Sequence, residues 1–144
     1  MKEFSFKGED GKITMSLDPE KITGDQAFHG KIEVKAGNYH VKSNLYISVS
    51  ELNRLFTDLN RLLESRKGAL VFTNHINERN IECNLSFDPD GKGMIVQGVF
   101  VESPERKNEL FFKIKSDPKT IHNTLKELES IIKKFDVARK DKSF

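Results

Sequence analysis

Four histidines and a single cysteine are the residues of this chain whose side chains could bind a metal or act as nucleophiles. His29, His40, His75 and His122 are not spaced as ligand pairs, whereas a zinc site needs close pairs of His or Cys. Cys83 falls on the apolar side of an alternating segment, where a thiol usually acts as a small hydrophobe, and nothing near it in the sequence would activate it. These residues predict neither a metal site nor a catalytic thiol.

Short motifs rich in glycine and acidic residues indicate turns. Asp88-Pro89-Asp90-Gly91 begins like a calcium-binding loop, but the later acidic ligands, including the terminal bidentate glutamate, do not follow. The chain contains no G-x-x-x-x-G-K-[ST] or G-x-G-x-x-G phosphate motif and no G-x-S-x-G nucleophile motif. The sequence therefore predicts neither an enzyme nor a cofactor-binding protein, and we expect its function to depend on surface contacts.

One surface candidate is a locally acidic stretch in the second half of the chain. Between residues 78 and 109, seven carboxylates outnumber four basic side chains. Two interpretations stay open: the solvated rim of a sheet, or an electrostatic docking face for a basic partner. For a docking face, the predicted interface residues are His75, Glu78, Arg79, Glu82, Asp88, Asp90, Glu102 and Glu105.

Two series of short strands, each followed by one amphipathic helix, must position any such surface. Alternation of apolar and polar residues predicts four strands before residue 48 and four more between residues 69 and 114. Turn signals such as Gly8–Gly11 and Ala36–Asn38 join successive strands into hairpins. The order ββββα-ββββα predicts an α+β fold, in which two helices pack on a curved, mostly antiparallel sheet of about eight strands.

Both helices carry start signals in the sequence. Ser48 and Glu51 are spaced as a capping box, and the apolar residues that follow recur at every third or fourth position. Asp117 followed by Pro118 predicts the start of the second helix. Gly68 is the expected left-handed exit from the first helix.

Four segments are expected to interrupt the alternating pattern. Residues 18–29 and 74–80 are polar and are predicted to be loops, the second of them placing His75 in solvent. Ala69–Thr73 is a continuous apolar run, which is typical of a strand buried on both faces. Gly98 lies inside a strand and predicts a bulge or the close approach of another backbone.

Composition and charge favour one small domain in the cytoplasm. The predicted domain spans residues 1–137, and residues 138–144 are expected to form a frayed basic tail. No apolar signal segment follows Met1, and a lone cysteine excludes an internal disulfide, which fits a reducing compartment. The net charge of +2 comes from the last twelve residues, which carry five basic and two acidic side chains. The remainder is not a basic platform for nucleic acid.

Between residues 30 and 137, the order of apolar positions and glycines is similar to that of a known family. The residues that carry this similarity are Gly37–Leu63, Gly68–Phe72, Leu85–Asp88 with Gly91, Gln97–Val99, and Leu110–Phe112 with Ser116 and Asp117 before the terminal helix. In this order they resemble the WapI-type immunity proteins of bacterial contact-dependent toxin systems. The resemblance is a pattern of packing and turn residues and contains no catalytic signature.

The resemblance implies a cytoplasmic antitoxin that binds the C-terminal domain of a polymorphic toxin and neutralises it without a cofactor. Such toxins are often nucleases with basic clefts, for which an acidic inhibitor surface would speed association. The nearly neutral body of this chain departs from that picture, so simple mimicry of nucleic-acid charge is in doubt. The family supplies no specific interface residues.

Two other functions stay open at this point. A small scaffolding domain could self-associate through a sheet edge, and the basic tail could bind nucleic acid weakly. The leading prediction is a protein partner, a cognate toxin domain with nucleases among the candidates. Neither a membrane nor nucleic acid is expected as a direct partner, and the expected state is a monomer or a weak dimer.

Overall fold

The fold consists of eight strands and two helices. The structure, a computed structural model, describes residues 2–22, 27–76, 79–102, 105 and 108–141, with side chains at all of these except 19–22, 75–76, 79–80 and 135–141. The elements are β1 (Lys2–Gly8), β2 (Gly11–Ile22), β3 (Ala27–Ala36), β4 (Tyr39–Ser48), α1 (Val49–Ser65), β5 (Ala69–Ile76), β6 (Arg79–Phe87), β7 (Met94–Val101), β8 (Glu109–Ser116) and α2 (Pro118–Asp141).

The eight strands form two antiparallel sheets of four. Sheet A contains β1 to β4 and sheet B contains β5 to β8, each in chain order. The predicted α+β class and the order ββββα-ββββα are confirmed. The chain passes from sheet A to sheet B at α1, whose 17 residues separate β4 from β5. Successive strands pair within each sheet because short turns join them, and no short turn joins β4 to β5.

The helix starts follow the sequence signals closely. At α1, Ser48 Oγ accepts the backbone N–H of Glu51 at 3.1 Å, and Glu51 Oε1 accepts the N–H of Ser48 at 3.2 Å. At α2, Asp117 Oδ1 accepts the N–H of Thr120 at 2.8 Å, and hydrogen bonds from Thr120 hold the pKa of Asp117 below its usual range. Gly68 has the predicted positive φ, +85°, but the C-cap of α1 lies two residues earlier, where Arg66 is left-handed and donates its N–H to the carbonyl of Leu62.

Both predicted polar loops are largely strand. β2 continues to Ile22 and β3 begins at Ala27, so within residues 18–29 only 23–26 lie outside the described residues. β5 continues to Ile76 and β6 begins at Arg79, which places the backbone of His75 in a strand. Hairpin ladders persist through polar residues because backbone hydrogen bonds, unlike side-chain burial, do not require apolar residues.

Two expectations about individual strands have different outcomes. Ala69–Thr73 is not buried on both faces, because Val71 is 57% exposed on one side while Leu70 and Phe72 are buried on the other. Like other strands of an antiparallel sheet, β5 packs one face on the core and leaves the other solvated. Gly98 does mark a close approach, since a Cβ there would overlap the backbone of Glu82, and the β6–β7 register passes through it without a bulge.

A single hydrophobic core joins both sheets and both helices. Phe4, Leu59, Leu85 and Ile121 are buried members contributed by four different elements. α2 packs along β1 and against α1, which itself contacts β4 and β5. The backbone of α2 runs to Asp141, and the predicted boundary after residue 137 stays a prediction. In the described part of the chain, no helix is long and apolar enough to span a membrane.

The outer edge of β1 is closed by side chains from α2. Thr124, which is buried, donates its Oγ1 hydrogen to the carbonyl oxygen of Ser5 at 2.6 Å. The N–H of Ser5 donates to Glu127 Oε1 at 3.2 Å. The unpaired backbone groups at this point of the sheet edge are thus satisfied within the chain.

Cys83 lies in the core on the inner face of β6. Burial raises the pKa of its thiol to about 12. A thiol with this pKa stays protonated at neutral pH and is a poor nucleophile, as the sequence predicts.

We expect Thr124→Val to destabilise the protein by about 1–3 kcal/mol, because the Ser5 carbonyl loses its buried donor while the side-chain shape is kept. The matched control is Thr57→Val on the exposed side of α1, where the change should stay within about 0.5 kcal/mol. Chemical denaturation measures both variants. Equal stabilities of the two would show that closing this edge contributes nothing.

Iodoacetamide at pH 8 should leave Cys83 unmodified in the folded protein and modify it once urea unfolds the chain. Burial both blocks access and disfavours the thiolate. Mass spectrometry follows the reaction against glutathione as an exposed thiol. Alkylation of the native protein at the glutathione rate would contradict the buried position.

Candidate partner-binding surface

The described members of the sequence-predicted interface do not form one continuous acidic surface. Glu82 is exposed in the middle of the outer face of sheet B, paired with Thr73 and Val99. Asp88 and Asp90 lie in the β6–β7 turn at one end of that sheet, whereas Glu102 and Glu105 follow β7 at the other end. A strand of this length separates the two ends by roughly 23 Å.

Glu78 and the side chains of His75 and Arg79 lie outside the described residues. The register His75↔Asn80↔Val101 puts the backbone of His75 and Arg79 at the same end of sheet B as Glu102. Their part in an interface stays a prediction.

The Asp88–Gly93 segment is a hairpin turn, as the sequence predicts. The N–H of Asp88 donates to the carbonyl of Gly93 and the N–H of Gly91 donates to the carbonyl of Asp88, both at 2.8 Å. Asp90 Oδ1 accepts the N–H of Lys92 at 2.9 Å. Both aspartates therefore shape the turn. Across the described ranges, no three His, Cys, Asp or Glu side chains come together as a metal site.

The outer face of sheet A carries a row of basic side chains that crosses all four strands. Lys7 pairs with Lys12, Lys12 with Lys35, and Lys35 with His40. These four residues, the basic row, share one face because directly paired residues of neighbouring strands point to the same side of a sheet. Like charges directly opposite one another destabilise a sheet, so the row is a feature that packing alone does not favour.

Glu33 is a carboxylate on the outer face of sheet A that partly neutralises the positive charge at the Lys35 and His40 end of the basic row. Its Oε1 lies 3.4 Å from Lys35 Nζ and 3.2 Å from His40 Nε2, and its Oε2 lies 3.8 Å from Lys42 Nζ. Desolvation raises the pKa of Glu33, but the hydrogen bond from Lys35 and the charges of His40, Lys35 and Lys42 outweigh it and lower the pKa overall. Glu33 stays ionised, and the surrounding surface keeps an excess of positive charge.

An open groove lies between the two sheets, beside β4. It has a volume of about 410 Å³ and its lining residues are Tyr39, His40, Val41, Lys42, Ser43, Phe100, Glu102, Asn108, Glu109 and Leu110. Val41 and Ser43 come from the inner face of β4, and Phe100 and Leu110 from the inner faces of β7 and β8. The sheets diverge here, so the core opens to solvent between a basic wall and an acidic one.

The edge of β4 along this groove offers free backbone groups. Gly37, with a φ of +58°, begins a two-residue turn closed by the pair Ala36↔Tyr39. Hydrogen-bonded pairs alternate from there, so the even-numbered residues of β4 point their N–H and C=O groups away from β3. The carbonyl of Tyr46 accepting Asn74 Nδ2 at 2.7 Å agrees with this alternation.

Within the described residues, the outward backbone groups of His40, Lys42 and Asn44 have no hydrogen-bond partner. Ser43 Oγ, buried in the wall of the groove, likewise finds no partner there. Buried polar atoms are normally paired. The groove therefore combines hydrogen-bonding capacity, apolar surface and charge of both signs.

Sequence reasoning missed the basic row and the groove for different reasons. The row follows from two predicted turns, because a turn at Glu9-Asp10 pairs Lys7 with Lys12 and a turn at Gly37-Asn38 pairs Lys35 with His40. Pairing charges across each hairpin would have found it. The groove depends on the angle between the two sheets, which no local pattern encodes.

Three plant proteins are among the solved structures with a similar fold. The plant transcriptional regulator PBF-2 has a TM-score of 0.57 at 12% sequence identity, over 90% of this chain and 79% of that one. WHY3 from Arabidopsis thaliana has a TM-score of 0.54 at 11% identity, over 92% and 86%. WHY1 from Arabidopsis thaliana has a TM-score of 0.55 at 12% identity, over 90% and 82%. At these identities the likeness concerns the fold.

Comparison at the level of sequence gives the family. No curated protein matches the chain. The model of the immunity protein WapI-like family matches residues 4–136, from β1 through most of α2. The chain belongs to the WapI-like immunity protein family.

Proposed function

We propose that this protein is a cytoplasmic immunity protein that neutralises the C-terminal domain of a cognate polymorphic toxin by forming a non-covalent complex with it. The observation that carries the proposal is the family match over residues 4–136. The proposed mechanism needs no cofactor and no reaction, only an interface that blocks or holds the toxin.

The surface of the protein supports a binding function. Cys83, with a pKa of about 12, is not a nucleophile. His40 is engaged with Glu33, and His29 packs edge-on against Tyr46 with ring centroids 4.9 Å apart. Cys83 lies in the core, and the two histidines make contacts within the surface of sheet A, so these groups do not share a reaction centre.

The charge distribution bears on how the toxin would be inhibited. An inhibitor that imitates nucleic acid presents a continuous acidic face to a basic cleft. Here the described carboxylates of the acidic stretch are spread over the middle and the two ends of sheet B, and sheet A presents the basic row instead. A toxin that binds sheet A would have an acidic or mixed surface, which leaves the nuclease class as one candidate among several.

Co-expression with the toxin domain encoded immediately upstream should restore growth of cells that this domain otherwise kills, because the immunity protein occupies it stoichiometrically. The two purified proteins should elute as a stable one-to-one complex in size-exclusion chromatography. A toxin domain of a different family is the matched control and should be neither bound nor neutralised. Unrestored growth together with separate elution would refute the proposed function.

A further inference from the structure

We propose that the open edge of β4 and the groove beside it receive an extended segment of the toxin, which adds to sheet A as a fifth strand. This inference rests on the proposed function, because it names the place and the chemistry of toxin binding. It is carried by three independent features of the described residues: a free backbone ladder, an apolar groove and a row of positive charge.

The free backbone groups of β4 have the spacing that an added strand would pair with. His40, Lys42 and Asn44 each present one N–H and one C=O outward from β4, at the two-residue spacing that an added strand requires. At two other points of the sheet edges the chain closes such groups itself. α2 satisfies Ser5 on the opposite edge of sheet A, and Glu9 donates its N–H to the carbonyl of Lys115 at the end of β8.

The groove and the basic row define the side chains of the added strand. Successive residues of a strand face opposite sides of the sheet. On the outer side they would lie next to Lys42 and the basic row, where carboxylates are favoured. On the inner side they would enter the groove between Val41 and the pair Phe100 and Leu110, where apolar side chains are favoured. The occupant is therefore a segment in which acidic and apolar residues alternate.

The size and polarity of the groove fit this occupant. Its volume of about 410 Å³ lies within the range of roughly 300–1,000 Å³ that is usual for ligand clefts. Tyr39, 67% exposed at the start of β4, provides an aromatic surface at the rim. Asn74, bonded to the carbonyl of Tyr46, ends the open part of the edge, so the added strand would pair with the N-terminal half of β4.

Lys42→Pro tests the ladder, because proline removes the outward N–H of Lys42 while leaving every bond between β3 and β4 intact. The matched control is Lys113→Pro on β8. Lys113 is also exposed on an edge strand, and it does not line the groove. Its backbone N–H points away from β7, because the carbonyl of Lys115, two residues further on, points away from β7 and accepts the N–H of Glu9. Isothermal titration calorimetry with the upstream-encoded toxin domain should show that Lys42→Pro lowers the affinity for the toxin at least about tenfold and that Lys113→Pro leaves it unchanged.

Charge reversal provides a second variant that leaves the backbone unaltered. Lys42→Glu should weaken toxin binding at least about tenfold, with a smaller loss at high salt, whereas Lys113→Glu should have little effect. Equal affinity of both Lys42 variants and the wild type would overturn the inference while leaving the proposed function intact. Absence of binding by the wild type would instead refute the proposed function.

The same samples test the other possible occupant of the edge, a second copy of this chain. Sedimentation of the isolated protein should show a monomer, for the wild type and for Lys42→Pro alike. A wild-type dimer that Lys42→Pro dissociates would assign the edge to self-association and overturn the inference.

Discussion

The unpaired backbone of its edge strands is the constraint on which the structure of this protein depends. Two open antiparallel sheets have four edges, and each edge exposes N–H and C=O groups that can pair with another chain. α2 closes one edge by placing Thr124 and Glu127 against Ser5, and this contact also fixes the helix on the sheet. Asn74 closes part of a second edge at Tyr46. The N-terminal half of β4 is left open beside the groove.

These contacts also explain how the two sheets share one core. Sheet A and sheet B meet where β4 contacts β5 and where the end of β8 crosses the β1–β2 turn. Gly8 and Gly11 allow the crossing, since a Cβ at either position would overlap the backbone of β8 or β3. Away from these contacts, the groove lies between β4 on one side and β7 and β8 on the other.

Local signals predicted local structure well. Ser48, Glu51 and Asp117 cap their helices as the sequence indicates, because a cap depends only on residues three positions apart. Asn74 was expected in a loop and lies buried in a strand, since its side-chain partner is the backbone of Tyr46, 28 residues away. The two parts of the candidate site, the basic row and the groove, also differ in whether local sequence signals predict them. The basic row was within reach of hairpin pairing, whereas the groove arises from the packing of one sheet against another.

Membership of the WapI-like immunity family gives this arrangement a functional context. An immunity protein must be stable alone and still offer a strong interface to one partner. Sheet A meets both needs, because α2 closes its β1 edge at Ser5 while the N-terminal half of its β4 edge stays open. Amide hydrogen exchange, measured by NMR on the free and the toxin-bound protein, tests this claim most directly. The account predicts slow exchange at Ser5 in both states and fast exchange at Lys42 that becomes slow on binding. Protection of Lys42 in the free protein, or unchanged fast exchange in the complex, would contradict it.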